Sequence, residues 1–351
     1  MATEVMVRQP PGLAASPRVA PATEADAAAW DAFVLEHAPA SGYHLWAWRQ
    51  VVREAFGHEC VYLVARDAGA IVGVLPLVCI RSRLFGRSMT SLPFLNYGGV
   101  VAASDDVALA LVEAAGAAAR ERGCRHVELR HVGRRFAALP VRQHKVTMLL
   151  PIAPGLWERL DRKVRNQIRK AEKSALTASR GGVELVGEFY AVFARNMRDL
   201  GTPVYGRGFF EAVLRAFPDR AHLHVVRLTG AALTFQSGPG VEVPWASSIR
   251  DFNHLCSNHL LYWSVIEAAL AAGAGTLDFG RSTPGEGTFK FKEQWGASPV
   301  ALHWEYVLIG GGEPPDQSPK NPKFQLAIAV WKRLPLWLAT AAGPHIVRNI
   351  P

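Results

Sequence analysis

Apolar positions recur at spacings of three and four between residues 24 and 56. Trp30, Phe33 and Val34, and then Trp46, Val51, Val52 and Phe56, define the buried faces of two helices. Strand-like runs follow at 61–65, 71–80 and 88–91, the first two joined by a turn at Asp67-Ala68-Gly69, which predicts antiparallel neighbours. A helix predicted over 105–122 stops at Gly123, where a left-handed cap is expected, and leads to strands at 126–130 and 145–150. The order then repeats. Helical segments at 155–178, 187–200 and 207–217 precede strands at 221–228, 231–236 and 241–249. A helix at 258–272, ended by Gly273, leads to a strand at 276–279, a short helix at 287–295 and a last strand at 300–308.

Each half thus reads helices, three strands, one long helix, strand, strand. That order is similar to the N-acetyltransferase (GNAT-like) fold and implies an α/β (α+β) chain of two tandem GNAT-like domains with mixed, mostly antiparallel sheets. The expected division is a flexible leader at 1–22, a first domain at 23–152, a second at 153–309, then a linker and C-terminal helical segment at 310–351.

Composition narrows this picture. The 351 residues are 49% hydrophobic and 20% charged, which excludes a largely disordered chain and fits two domains. No run reaches the roughly 18 uncharged apolar residues of a spanning helix. The first 22 residues lack the apolar core of a secretion signal, so a cytoplasmic location is expected. Cys60, Cys79, Cys124 and Cys256 lie far apart in the chain without metal-ligand spacing, so free thiols and no metal site are expected. No Ser or Cys stands with His in a nucleophile arrangement, which leaves a hydrolase triad without support.

The excess of nine positive charges favours anionic partners, and much of it is local. Residues 159–173 hold seven Lys and Arg against Asp161 and Glu172. Arg162, Arg165, Arg169 and Lys173 form a helical stripe opposite Leu160, Val164, Ile168 and Ala171, a cationic ridge at the sequence junction of the halves. Such a face is either solvated or phosphate-binding. Arg165 and Arg169, with Lys163 beside them, are the candidates for phosphate because guanidinium forks match its oxygens. In 277–296, a strand brings Asp278 and Arg281 to its end, a glycine-rich turn follows, and Phe289, Phe291 and Trp295 alternate with Lys290 and Lys292. At least one ammonium should therefore lie in a dry aromatic setting.

The segments 163–171, 258–263 (Asn258 through Tyr262-Trp263), 278–282 (Asp278-Phe279-Gly280-Arg281-Ser282) and 291–296 (Phe291-Lys292-Glu293-Gln294-Trp295-Gly296) resemble those of FemAB-type proteins. Segment 244–248, with Trp245 and Ser247, and the ending 331–335 extend the resemblance, which is nearest the branch associated with the PEP-CTERM/exosortase system. The resemblance implies transfer of an acyl or aminoacyl group to an amine of a cell-envelope or exopolysaccharide precursor. The donor would be aminoacyl-tRNA or acyl-CoA, with no permanently bound cofactor. It carries a Phe-Lys pair onto Phe291 and Lys292, with Lys292 catalytic and Asp278 the candidate proton acceptor. Tyr205, Trp245, Ser247, Asn258, Tyr262, Arg281, Phe291 and Trp295 are the further candidate substrate contacts.

Two features depart from ordinary acetyltransferases. The loop 249–257 has no glycine to expose backbone N–H groups to a pyrophosphate, which disfavours a standard acetyl-CoA grip. Gly98-Gly99 in the first half reads more readily as a turn. The rival reading is a non-catalytic module that binds a nucleotide-sugar or RNA. Residues 331–338 combine Trp, Lys and Arg, as either a packed terminal helix or a peripheral contact with an anionic membrane.

Overall fold

The computed structural model describes residues 17–37, 41–82, 85–315 and 322–350. Among them, thirteen strands form one sheet. The first half supplies β1 (Arg18–Pro21), β2 (Glu59–Asp67), β3 (Ala70–Ser82), β4 (Gly86–Ser91), β5 (Val101–Ala102), β6 (His126–Val132) and β7 (Val141–Pro151). The second supplies β8 (Ala178–Gly181), β9 (Ala221–Val226), β10 (Gly230–Ser237), β11 (Gly240–Ser248), β12 (Thr276–Ser282) and β13 (Ser298–Leu308). The strands lie in the order β1-β2-β3-β4-β6-β13-β7-β12-β11-β10-β9-β8, with β5 on β3.

That order contains an exchange. β7 closes the first half in sequence, yet it pairs with β12 and β13. β13 closes the second half, yet it pairs with β6 of the first as well as with β7. Each half takes its last strand from the other, so the division near 151–155 separates the chain but not the sheet. Of the leader expected over 1–22, residues Arg18–Pro21 pair with β2, and 1–16 lie outside the described residues.

The helices are α1 (Ala27–Glu36), α2 (Trp48–Phe56), α3 (Asp105–Glu121), α4 (Leu156–Arg159), α5 (Arg162–Lys173), α6 (Val186–Leu200), α7 (Arg207–Ala216), α8 (Ser257–Ala271), α9 (Gly287–Glu293), α10 (Pro322–Trp331) and α11 (Leu336–Val347). The single helix expected over 155–178 is broken because Asp161 caps a new one, its Oδ1 accepting from Lys163 N at 2.6 Å. The C-terminal helical segment expected within 310–351 is two helices, α10 ending at Trp331 and α11 starting after Pro335. α3 and α8 end alike, at Gly123 with φ 64° and Gly273 with φ 73°, as their glycines predict.

Three apolar layers result. An inner core joins the halves, where α1 and α2 with β2 and β3 meet α6 and α7 with β9 to β11. Outer cores lie under α3 on the first half and under α5 and α8 on the second. Cys79 and Cys124, distant in sequence, meet in the first of these outer layers with sulfurs 3.8 Å apart.

Candidate active site

β11 and β12 run parallel for three residue pairs, Gly240 with Thr276, Val241 with Leu277 and Glu242 with Asp278, and then part. Both strands carry an extra residue at the fork. On β11, Trp245 pairs with Leu233 but Glu242 pairs with Phe235, so one residue is extruded at Val243-Pro244. On β12, Asp278 faces Leu149 of β7 and Arg281 faces Thr147, which extrudes one at Phe279-Gly280. A bulge shifts the two-residue alternation, so side chains three apart share a face. Glu242 and Trp245, and likewise Asp278 and Arg281, all turn to the inner face, while Val241, Val243, Leu277 and Phe279 pack outward beneath α5 and α8. The bulges are fitted together. Gly280 has φ 77°, and a Cβ there would stand 2.6 Å from the Val243 carbonyl oxygen.

Two carboxyls therefore sit side by side where the strands part. Asp278 is buried and accepts from Gly280 N at 2.7 Å, from Tyr97 Oη at 3.0 Å and from the Thr147 hydroxyl. Burial raises its pKa, and these donors oppose the rise. Glu242 is pushed up to about 8 by burial and then by the Asp278 charge, although Tyr43, Tyr97 and Ser237 surround it. Its Oε2 is buried without a hydrogen-bond partner. Asp278 is thus the member built to hold negative charge and Glu242 the member built to hold a proton.

Lys292 enters from α9. Its Nζ donates to the carbonyls of Gly280 and Arg281, each at 2.9 Å, at the bulge that frees these groups from the ladder. Burial lowers its pKa to about 8 against the pull of Asp278. The ammonium is fixed at the fork, and two of its three N–H groups are committed.

Further along the inner face, Arg130 of β6 and Arg281 flank the Trp304 ring, with guanidinium carbons 4.6 and 5.9 Å from its centroid. Arg130 is paired with buried Glu128 at 2.7 Å. Arg281 makes no salt bridge among the described residues, and burial and then Arg130 lower its pKa to about 10. Tyr205 is electrostatically coupled to both arginines, and its ring lies 6.5 Å from Trp245. Ser247 accepts from Asn196 of α6 at 3.0 Å.

The remaining expected residues lie on the other side of the sheet. Val164, Ile168 and Ala171 are buried as the stripe predicts, but they pack into the outer core with α8. The cationic ridge lies at the junction in sequence and on the outer face in space, because α5 covers the surface away from Asp278 and Arg281. Arg169 sits over the Trp157 ring at 5.4 Å, and Arg165 has a buried, unpartnered Nε. Lys163 is close enough to His259 of α8 to help burial hold that imidazole down at about 4. Tyr262, Phe291 and Trp295 form an aromatic cluster, with Tyr262 stacked on Phe279 at 5.0 Å. Asn258 is half-buried near the start of α8, where Ser257 Oγ is buried without a partner. The entry to α8 is a turn through Cys256 at φ 58°, in place of a glycine.

The first half has the corresponding fork, with β4 and β6 pairing only at Met89 with Val127 and Thr90 with Glu128. It is stitched shut. Gly98 N donates to Arg130 O at 3.1 Å, Arg130 Nη1 donates to Leu95 O at 3.2 Å, and Val100 N donates to the His131 ring at 2.9 Å. Gly99 lies so close to His131 that a Cβ would fall 2.2 Å from its ring. The Gly98-Gly99 pair is therefore a close-packing device.

Sequence reasoning missed Glu242, Tyr43, Tyr97, Thr147, Arg130 and Trp304. Only Glu242 carried a local signal, as an acid between the apolar residues Val241 and Val243.

This fork between two parallel strands, in a duplicated α/β sheet, defines the tandem GNAT fold. Residues 159–293, in the second half, match the sequence profile of an acetyltransferase (GNAT) domain. The structure of FemX is similar with a TM-score of 0.64 at 15% identity, covering 89% of this chain and 100% of that one. The C-terminal domain of a putative lysylphosphatidylglycerol synthetase from Agrobacterium fabrum is similar with a TM-score of 0.53 at 12% identity, over 80% of this chain and 91% of that one. A tandem GNAT protein from the clavulanic acid biosynthesis pathway has a TM-score of 0.50 at 12% identity, over 85% of this chain and 100% of that one. No curated protein matches the chain in sequence. The chain thus has a GNAT acyltransferase fold.

Proposed function

We propose that the protein transfers an acyl or aminoacyl group to an amine at the β11–β12 fork. The observation that carries this reading is the fork itself, with a carboxyl pair on its inner face and a fixed ammonium within it. The acceptor amine approaches from the inner face, where the Glu242–Asp278 pair takes its proton. The neutral nitrogen attacks the carbonyl carbon of an ester or thioester. A C–N bond forms, the C–O or C–S bond breaks, and the leaving oxygen or sulfur departs with a proton from the site. Charge that develops on the carbonyl oxygen meets the Lys292 ammonium. One preorganised donor of this kind is worth about 3–4 kcal/mol. Arg281, held on Trp304, binds an anionic group of the acceptor.

The donor lies on the outer face, where α5 and α8 offer Lys163, Arg165 and the buried Ser257 hydroxyl to its phosphates. Acyl-CoA and aminoacyl-tRNA both carry such phosphates, and the altered turn at Cys256 argues against the usual acetyl-CoA grip. The FemAB-type resemblance supports an amine of a cell-envelope or exopolysaccharide precursor as acceptor, linked to the PEP-CTERM system. A thermal-shift panel of acyl-CoAs, aminoacyl-tRNAs and UDP-linked precursors tests this reading. One donor class should raise Tm saturably. The absence of a shift with every acyl donor would favour a binding module.

A further inference from the structure

The C-terminal helices expose large apolar side chains that the site does not use. α10 rests on the loop after α6 through Ile328, whose Cγ2 would lie 2.6 Å from a Cβ at Gly201. At 100° per residue, Leu326 and Val330 point directly away from Ile328, and they are 76% and 53% exposed. α11 buries Ala339, Gly343 and Val347, and Gly343 packs against the Val204 backbone. Trp337 stands off that face with 71% of its surface exposed. Lys332 and Arg333, both exposed, occupy the turn between the helices. After Asp316 the chain carries Lys320, Lys323, Lys332, Arg333 and Arg348 and no acidic residue.

We propose that α10 and the start of α11 dock the protein onto an anionic lipid bilayer, with Leu326, Val330 and Trp337 in the interface and Lys332 and Arg333 against the headgroups. Among the described residues no helix is long and apolar enough to cross a membrane, so this is a surface contact. The charge selects the occupant. The segment after Asp316 is basic and carries no acid of its own, and Asp199, the acid beside the Leu334 turn, is paired with Arg198, so the surface repels a second copy of a chain with net charge +9 and complements anionic headgroups. A Trp beside cations suits the boundary between apolar and wet layers. The loop beneath α10 and α11 also carries Tyr205, which packs against the inner core beside Trp245, so a docked bilayer lies one loop away from the proposed acceptor site.

The test is sedimentation of the full chain with vesicles of phosphatidylcholine alone and of phosphatidylcholine with about a third phosphatidylglycerol. Binding should require the anionic lipid and weaken with salt. Lys332→Gln with Arg333→Gln should weaken it about 30-fold. Leu326→Ser with Val330→Ser should weaken it at least about tenfold. Brominated acyl chains should quench fluorescence in the wild type, and the Trp337→Phe variant should lose that quenching. Because these side chains are exposed, circular dichroism of each variant should match the wild type. Equal binding to neutral vesicles, no binding, or indifference to both double variants would overturn the proposal. So would self-association that Leu326→Ser with Val330→Ser abolishes while vesicle binding is absent.

Discussion

Replacing Lys292 with Met separates a residue kept for chemistry from one kept for stability. In the fold its pKa falls from 10.5 to about 8, because burial penalises the charge more than Asp278 rewards it. That fall corresponds to about 3 kcal/mol of destabilisation at neutral pH. Between about pH 8 and 10.5 the unfolded chain holds a proton that the native protein has released. Stability therefore rises with pH across that window and is lowest below it. Lys292→Met removes the buried charge but leaves the Gly280 and Arg281 carbonyls without their donor, at a cost of about 1–3 kcal/mol each. The two effects largely offset, so the variant should match the wild type within about 3 kcal/mol at pH 7. Its own stability should lack the rise above pH 8. Guanidinium chloride unfolding of both proteins at pH 7 and pH 10 measures this directly. Transfer activity, once a donor is found, should drop about 100- to 1,000-fold. A variant destabilised by more than about 4 kcal/mol at pH 7, with the same dependence on pH as the wild type, would show that Lys292 is a structural ion and refute the reasoning.

Other outcomes follow from the same geometry. Glu242 holds its proton in the fold up to about pH 8, so its contribution to stability declines as pH rises from 4.5 through 8. Glu242→Gln should flatten that decline and abolish the rising limb of kcat/KM, and an unchanged pH profile would remove Glu242 from the proton path. Arg281→Gln should raise KM for the acceptor about 10- to 100-fold with little change in kcat, Arg281→Lys recovering part of the loss. An equal loss in kcat alone would contradict a binding role. Gly280→Ala should cost about 2–4 kcal/mol and reduce activity, since the left-handed backbone and the Val243 carbonyl both oppose a Cβ. Thermal unfolding with an undiminished Tm would show that the interlocked bulges tolerate it.

Much of the fold could be read locally. Apolar runs joined by the turn at Asp67-Ala68-Gly69 mark β2 and β3, and Gly123 and Gly273 mark where α3 and α8 end, because backbone sterics leave few other residues at those angles. The inner and outer faces of the second half could not be assigned this way. Periodicity places Val164 and Ile168 in a core without saying which core, so the side of the sheet on which the ridge lies was not legible. The bulges at Val243-Pro244 and Phe279-Gly280 defeat simple alternation, which would separate Glu242 from Trp245 and Asp278 from Arg281. Tyr97, Thr147 and Trp304 join the site only through pairings between halves, and no local pattern encodes those. Lys292 was legible because aromatic residues flank it in sequence and bury it, although in the fold its ammonium is held by the Gly280 and Arg281 carbonyls.

The exchange of β7 and β13 has a bearing on how the chain is made. The β6 edge of the first half stays open until β13 has been synthesised, when residue 308 of 351 has been added. During translation the ribosome therefore presents a half-built sheet with an unpaired edge, a template for wrong partners. A fragment ending near residue 152 keeps that edge for good and holds β7 away from β12. Neither half should be recoverable as a soluble piece, whereas co-expression of the two should restore the pairings across the break.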